Sequence, residues 1–449
     1  MAEQLEKTEH VDENTQVYPS RYYGWFVVIL LTITYIFSYI DRQVLAMLTE
    51  DIKADFGYSD QKMALLTGTA FMLFYATMGI PLGWLSDRKP RKWIIAVGVF
   101  VWSIATALSG VAKSFAGLFL ARVAVGAGEA TLSPAAMSLI SDLFKPESRA
   151  KAIGVYSTAL GIGSGIAYLL ISGILEWAGT LDLTSLATFG IDRPWQVVFL
   201  VVGFPGIFLA LIYVFLKEPE RIASKQAISE SGEAATIFDT MKFLKKNWVA
   251  FIGVMLMVSV MTVVAYTGFW LPSLFARTWG WDPATFSYYN GSVLIILAPV
   301  CNILWGILID KWSHKGRKDA AFRFTQMGLL LLVPTAVIFP LVPDVWTAFF
   351  LSQVSNVGIT MVTTGGITAL LAIVPGEIRG QTVALYYMVI SIAGLFVGPN
   401  GVAYLTNVVF ADESLIRYSM ALIPILYGGP IILFSFFVGK AYRKQLEKV

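Results

Sequence analysis

Twelve stretches of this 449-residue chain are each long and apolar enough to cross a lipid bilayer, and that decides the fold class before any motif is read. A spanning helix needs roughly 20 apolar residues, because the hydrocarbon is about 30 Å thick and each helical residue rises about 1.5 Å. The stretches are 22–48, 62–85, 93–112, 114–144, 150–176, 195–216, 248–275, 285–310, 321–342, 344–374, 378–409 and 416–438. None alternates apolar and polar positions over about 10 residues, as a membrane barrel strand does. Composition agrees, with 56% of residues hydrophobic and 14% charged, against roughly 25% charged in a soluble domain. The chain is therefore read as an all-α integral membrane protein of twelve transmembrane helices. No small-residue cleavage site follows the first apolar run, so that run is expected to be a retained helix and not a signal peptide. The net charge of +3 is too small to imply nucleic acid as a partner.

Orientation follows from the loops. With the N-terminus inside, the internal segments hold 25 Lys and Arg and the external loops hold six, Lys53, Lys62, Lys113, Arg193, Arg277 and Arg417. The excess of basic residues marks the cytoplasmic side, so both termini are expected there, in a bacterial inner membrane. The expected organisation is a cytoplasmic tail over 1–21, a six-helix bundle over 22–216, a linker over 217–247, a second bundle over 248–438 and a tail over 439–449. The linker ends in Lys242, Lys245 and Lys246, which reads equally as a basic amphipathic segment at the inner membrane surface or as a solvated loop.

The halves repeat. Gly83-Trp84-Leu85-Ser86-Asp87-Arg88, with Arg91-Lys92, recurs 223 residues later as Gly306-Ile307-Leu308-Ile309-Asp310-Lys311, with Arg317-Lys318. Pro146-Glu147-Ser148-Arg149 is echoed by Pro375-Gly376-Glu377-Ile378-Arg379, and Gly165-Ile166-Ala167-Tyr168-Leu169 by Gly401-Val402-Ala403-Tyr404-Leu405. Three landmarks in one order mean a duplicated six-helix unit. Duplicated halves with a site between them are the common plan of secondary transporters.

The Gly-x-Leu-x-Asp-Arg-x-x-Arg-Lys loop resembles the signature of the major facilitator superfamily, over essentially the whole chain, with Pro90 where that family usually has Gly. Tyr39-Ile40-Asp41-Arg42 and Arg122-x-x-x-Gly126-x-Gly128-Glu129-Ala130 resemble the spinster family, in the compact form of a bacterial member. That resemblance implies export of lysolipids or sphingosine phosphates. It implies two six-helix pseudo-repeats that rock about a central site, and sufficiency as a monomer among membrane lipids.

Within this plan Asp87, Arg88, Arg91 and Arg149, with Asp310, Lys311 and Arg379 in the second copy, are candidates for a cytoplasmic gate of ion pairs. Single basic residues there also serve as positive-inside anchors, but an acid in both copies is not explained by that rule. Gly161, Gly163 and Gly165 read as helix-packing positions.

Ionisable groups deep in a span are costly and point to function. Away from helix ends four stand out: Asp41 and Arg42 in the first helix, Arg122 and Glu129 in the fourth. Asp41 and Arg122 lie at similar depth, about 10 and 12 Å from the outer helix ends, and are expected to pair, with Glu129 about 10 Å deeper than Arg122. Burial raises a carboxyl's pKa and a neighbouring arginine lowers it, so Asp41 and Glu129 are the candidate proton carriers. Histidine does not compete for that role, since His10 and His314 both fall outside the apolar runs. Arg42 and Arg122 suit an anionic head group, and Phe37, Tyr39, Phe71, Phe74 and Tyr75 an acyl chain. The same aromatic residues also read as ordinary core or lipid-facing positions, and the four charges as a structural network.

The function expected is proton-coupled secondary transport of an amphipathic anionic lipid by alternating access. The alternatives are a carrier for another organic anion or drug, or an uncoupled uniporter. No cofactor beyond the proton is expected. An enzyme is not, because no nucleophile, base or metal set lies in the spans; the sole cysteine, Cys301, sits in an apolar run. A Gly-x4-Gly-Lys-Ser/Thr loop for ATP is lacking too.

Overall fold

The computed structural model describes residues 18–86, 88–219, 237–375 and 378–448. Among these, eleven helices are long and apolar enough to cross a membrane. A further continuous helical run, 60–86, stands in the second position. In chain order the twelve are α1 (Arg21–Met47), α2 (60–86), α3 (Arg91–Val111), α4 (Phe115–Leu143), α5 (Pro146–Gly179) and α6 (Pro194–Phe215) in the first half. The second half has α7 (Trp248–Trp279), α8 (Pro283–His314), α9 (Ala320–Ile338), α10 (Val345–Ile373), α11 (379–409) and α12 (416–446). The chain is a multi-pass integral membrane protein whose halves are six-helix pseudo-repeats.

Local chemistry sets many of the ends. Ser20, Ser59, Ser114, Asp282 and Asp344 each cap a helix start, their side-chain oxygens accepting from a backbone N–H three residues on. Proline opens α5, α6 and α8, where its missing N–H costs nothing. The helices are not uniform rods. Leu65–Ala70 in α2 and Ala393–Val397 in α11 are π-helical turns, α7 tightens to a 3-10 turn at Thr267–Trp270, and α4 is interrupted just after Glu129. Apolar periodicity identifies a span but carries no information about such local rewinding.

The linker helix Ile237–Lys246 is present. Lys242, Lys245 and Lys246 are exposed on it, and Phe243 packs on Phe251 of α7 at 5.4 Å between ring centroids.

The halves meet through α5 against α8 and α2 against α11. A Cβ built on Gly165 would lie 2.6 Å from the Ile295 backbone nitrogen, and one on Gly291 would lie 2.7 Å from the Gly165 carbonyl oxygen. Only residues without a side chain permit that approach. Toward the face where residues 18 and 448 lie, here termed the terminal face, the pairing ends. Gly154 of α5 and Gly306 of α8 have nothing within 4 Å of an added Cβ.

The opposite face is closed by charge. Arg277, in the last turn of α7, forks onto Asp60 at 2.8 and 2.9 Å and reaches Glu50 at 2.7 Å. Lys53 bridges Asp60 to Glu413, both at 2.5 Å. Glu50, Lys53 and Asp60 belong to the first half, Arg277 and Glu413 to the second. The bundle is therefore sealed across both halves on this face.

Candidate functional site

The four buried charges of α1 and α4 come together between the helices of the first half. Asp41, Arg42, Arg122 and Glu129 are all nine-tenths buried or more. Gly126 and Gly128 explain how α4 presents its acid. A Cβ on Gly126 would lie 2.3 Å from the Phe71 carbonyl of α2, and one on Gly128 2.9 Å from Trp102 of α3. The small residues flanking Glu129 thus let α2 and α3 close directly on α4. That approach also brings Phe71 and its stacked neighbour Tyr75, 4.9 Å between ring centroids, into the site.

The pairing differs from the depth argument. Arg42 Nε donates to Glu129 Oε2 at 2.7 Å, whereas Arg122 reaches only the Asp41 backbone carbonyl, at 3.4 Å. Direction explains the exchange of partners. A helical side chain leans toward its own N-terminus, and α1 and α4 run in opposite directions. Arg42 leans toward the terminal face and Glu129 away from it, so they converge. Asp41 and Arg122 start at similar depth and lean apart. Among the described residues, Asp41 Oδ1, Glu129 Oε1 and Arg122 Nε have no hydrogen-bond partner.

The guanidinium of Arg42 is boxed by aromatic rings. Its central carbon lies 4.6 Å from the Tyr75 ring centroid, 5.0 Å from Phe71 and 5.2 Å from Tyr39; Arg122 lies 6.0 Å from Phe71. Tyr39 and Tyr75 are half-buried, while the charges behind them are sealed. Phe37 is not among these rings and packs instead against an apolar cluster of the core. Ser38, one turn before Arg42, was not singled out from the sequence. Its hydroxyl donates to Glu129 Oε2 at 2.6 Å and accepts from Arg42 Nη2 at 3.4 Å. The signal for it was the four-residue spacing from Arg42, which places both on one helix face.

At the terminal face the candidate gate residues divide. Arg91 is fully buried and holds partners of its own half. These are Glu218 at 2.8 Å, the Ser138 hydroxyl and carbonyl at 3.1 and 3.2 Å, Asp142, and the Pro219 carbonyl at 3.1 Å. It fastens the start of the linker to the end of α4. Arg149 donates to the Ser141 carbonyl at 2.8 Å, also within its half. Arg88, Asp310 and Lys311 are exposed. Asp87 and the side chain of Arg379 lie outside the described residues. Among the described residues, the ion pairs around Asp60 on the other face join the halves, where Glu50, Asp51 and Asp55 crowd the short helix Thr49–Phe56 and Asp60 opens α2. That local acid density beside two of the six external cations was the available signal.

The family model of the Major Facilitator Superfamily matches residues 31–399. The chain belongs to the major facilitator superfamily. Spinster proteins are among its relatives. It is 28% identical to Protein spinster of Drosophila melanogaster over 69% of this chain and 49% of that one. It is 29% identical to Sphingosine-1-phosphate transporter SPNS2 of Danio rerio over 55% of this chain and 47% of that one. The chain spans about half the length of the curated relatives it matches. The fold matches a bacterial homologue of the human lysosomal transporter spinster, in an inward-facing and unoccupied conformation, with a TM-score of 0.78 and 26% identity. That match covers 96% of this chain and 98% of the other. The fold and its relatives are those of transporters, which are not enzymes.

Proposed function

We propose that this chain is a spinster-like carrier that moves an amphipathic anionic lipid, of the lysophospholipid or sphingosine-phosphate class, by proton-coupled alternating access. The observation that carries this reading is the arginine of α1 shared between a buried carboxylate and a half-open aromatic box. An anionic head group that takes Arg42 releases Glu129, and a carboxylate left alone in a low-dielectric site favours a proton. Substrate and proton occupancy are linked through one guanidinium, which is what coupling requires. Arg122 and Asp41, each with an unpartnered polar atom, complete the polar floor. The charge asymmetry of the loops supports a cytoplasmic terminal face, in a bacterial inner membrane, and the ion pairs on the opposite face then support an inward-facing state; one chain suffices for this cycle.

The substrate class is tested by flux of a labelled lysophospholipid in proteoliposomes, challenged with unlabelled sphingosine phosphate and, separately, with a hydrophilic organic anion. Competition by the lipid phosphate alone is expected. Flux of the hydrophilic anion without any lysolipid flux would place the substrate in another class and leave only the superfamily.

A further inference from the structure

We infer that Tyr266 is the second half's contribution to the head-group site: its phenol hydroxyl donates to the lipid phosphate that Arg42 of the first half receives, so that one bound lipid touches both halves. This rests on the proposed phosphate-bearing substrate. The four buried charges of the site all belong to α1 and α4, whereas Tyr266 comes from α7. Glycines of α11 set its placement. A Cβ on Gly394 would lie 2.5 Å from Tyr266 Cδ2, and one on Gly398 would lie 2.8 Å from Tyr266 Cβ, so the bare backbone of α11 leaves the room this residue fills. Immediately after it α7 tightens into the 3-10 turn Thr267–Trp270, and Phe269 of that turn lies 5.5 Å from Tyr266 between ring centroids. Phe269 is buried in the apolar cluster of first-half residues that includes Phe71, and Tyr266 packs on that cluster as Tyr35 and Tyr75 do.

Two donors are left for a ligand here. Arg42 Nε is committed to Glu129 and Nη2 to Ser38, while Nη1 makes no hydrogen bond among the described residues. Tyr266 is half-buried, and its hydroxyl also makes none among them. That hydroxyl lies within electrostatic reach of Arg42 and of Tyr39 and Tyr75, which close over the guanidinium. A phenol stays neutral well above neutral pH, so it adds a hydrogen bond to a phosphate without adding charge. A phosphate monoester presents three acceptor oxygens, enough for a guanidinium on one side and a donor from a facing helix on the other.

Tyr266→Phe removes the hydroxyl alone. The ring keeps its seat between Gly394, Gly398 and Phe269, and no hydrogen bond to a described residue is broken, so the variant folds. The test is equilibrium binding of radiolabelled lysophosphatidate to purified wild type and variant. Competition is measured with the monoacylglycerol of the same chain, which lacks the phosphate, and the melting temperature of each protein is recorded. The expected result is about tenfold weaker lysophosphatidate binding in Tyr266→Phe, with monoacylglycerol competition and melting temperature unchanged. Equal lysophosphatidate affinity in the two proteins overturns the assignment. A loss shared by monoacylglycerol, or accompanied by a lower melting temperature, makes Tyr266 a packing residue and overturns it too. Absence of lysophosphatidate binding to the wild type overturns the phosphate-bearing substrate itself, and this assignment with it.

Discussion

Arg42 does two things at once, and the geometry separates them. Its Nε pairs with Glu129, and its flat face lies against Tyr39, Phe71 and Tyr75. A buried ion pair is weak grounds for stability, since desolvation offsets much of the attraction, which is consistent with the proposed exchange of partners at Arg42. Arg42→Lys keeps the charge but loses the planar fork and most of the stacking. It is expected to raise the KM for lysolipid about tenfold with a smaller change in maximal rate, measured in proteoliposomes. The four charged positions were legible in the sequence because charge in an apolar run is conspicuous. Their pairing was not, because depth along a helix fixes a Cα while the lean of the side chain, opposite in antiparallel α1 and α4, fixes the contact.

At the scale of elements, contact between helices is controlled by where side chains are missing. Gly126 seats α2 on α4, and with it the aromatic box on Arg42. Gly126→Ala places a carbon 2.3 Å from the Phe71 carbonyl oxygen, so α2 has to move. The expected outcome is a loss of about 1–3 kcal/mol of stability, read as a lower melting temperature in detergent, together with weaker lipid binding. Arg91 is the clearest structural charge. Arg91→Ala removes the guanidinium that Asp142 and Glu218 share, and is expected to cost roughly 3–5 kcal/mol, visible as poor yield and early thermal unfolding. Most span ends were read from the sequence to within four residues, since a bilayer imposes length and apolarity together, but α12 continues to Leu446, eight residues past the expected end, because its charged last turns carry no apolar signal. The π-turns of α2 and α11 were invisible, because the same apolar residues suit either winding. The role of Arg91 was obscured for a similar reason: its motif resembled a gate, and its partners Asp142 and Glu218 are distant in sequence.

For the whole molecule, one face is closed by ions joining the halves, while toward the other Gly154 of α5 and Gly306 of α8 have open space beside them. Arg277 is central to the closure, touching Asp60 twice and Glu50. Arg277→Ala is expected to lengthen spin-label distances between the halves on that face and to leave distances within each half unchanged. This closure is not the pH-sensitive step. Burial pushes the Asp60 carboxyl up, but Arg277 and Lys53 outweigh it and hold the group below the usual carboxylate range. The closed network therefore favours the ionised acid. Its contribution is fully present above the ordinary carboxyl value of about 4 and is lost only as pH falls through the lowered one. Distances across this face in a Glu129→Gln background are expected to stay constant between roughly pH 5 and 8. On the proposed function, any response to protons in that window comes from the buried cluster of α1 and α4. The most direct measurement is lysolipid flux in proteoliposomes with and without an imposed pH gradient, for wild type and Glu129→Gln. Flux that responds to the gradient in wild type and ignores it in the variant is the predicted result. Wild-type flux that is indifferent to the gradient contradicts proton coupling and makes the Arg42–Glu129 pair a binding device in a uniporter.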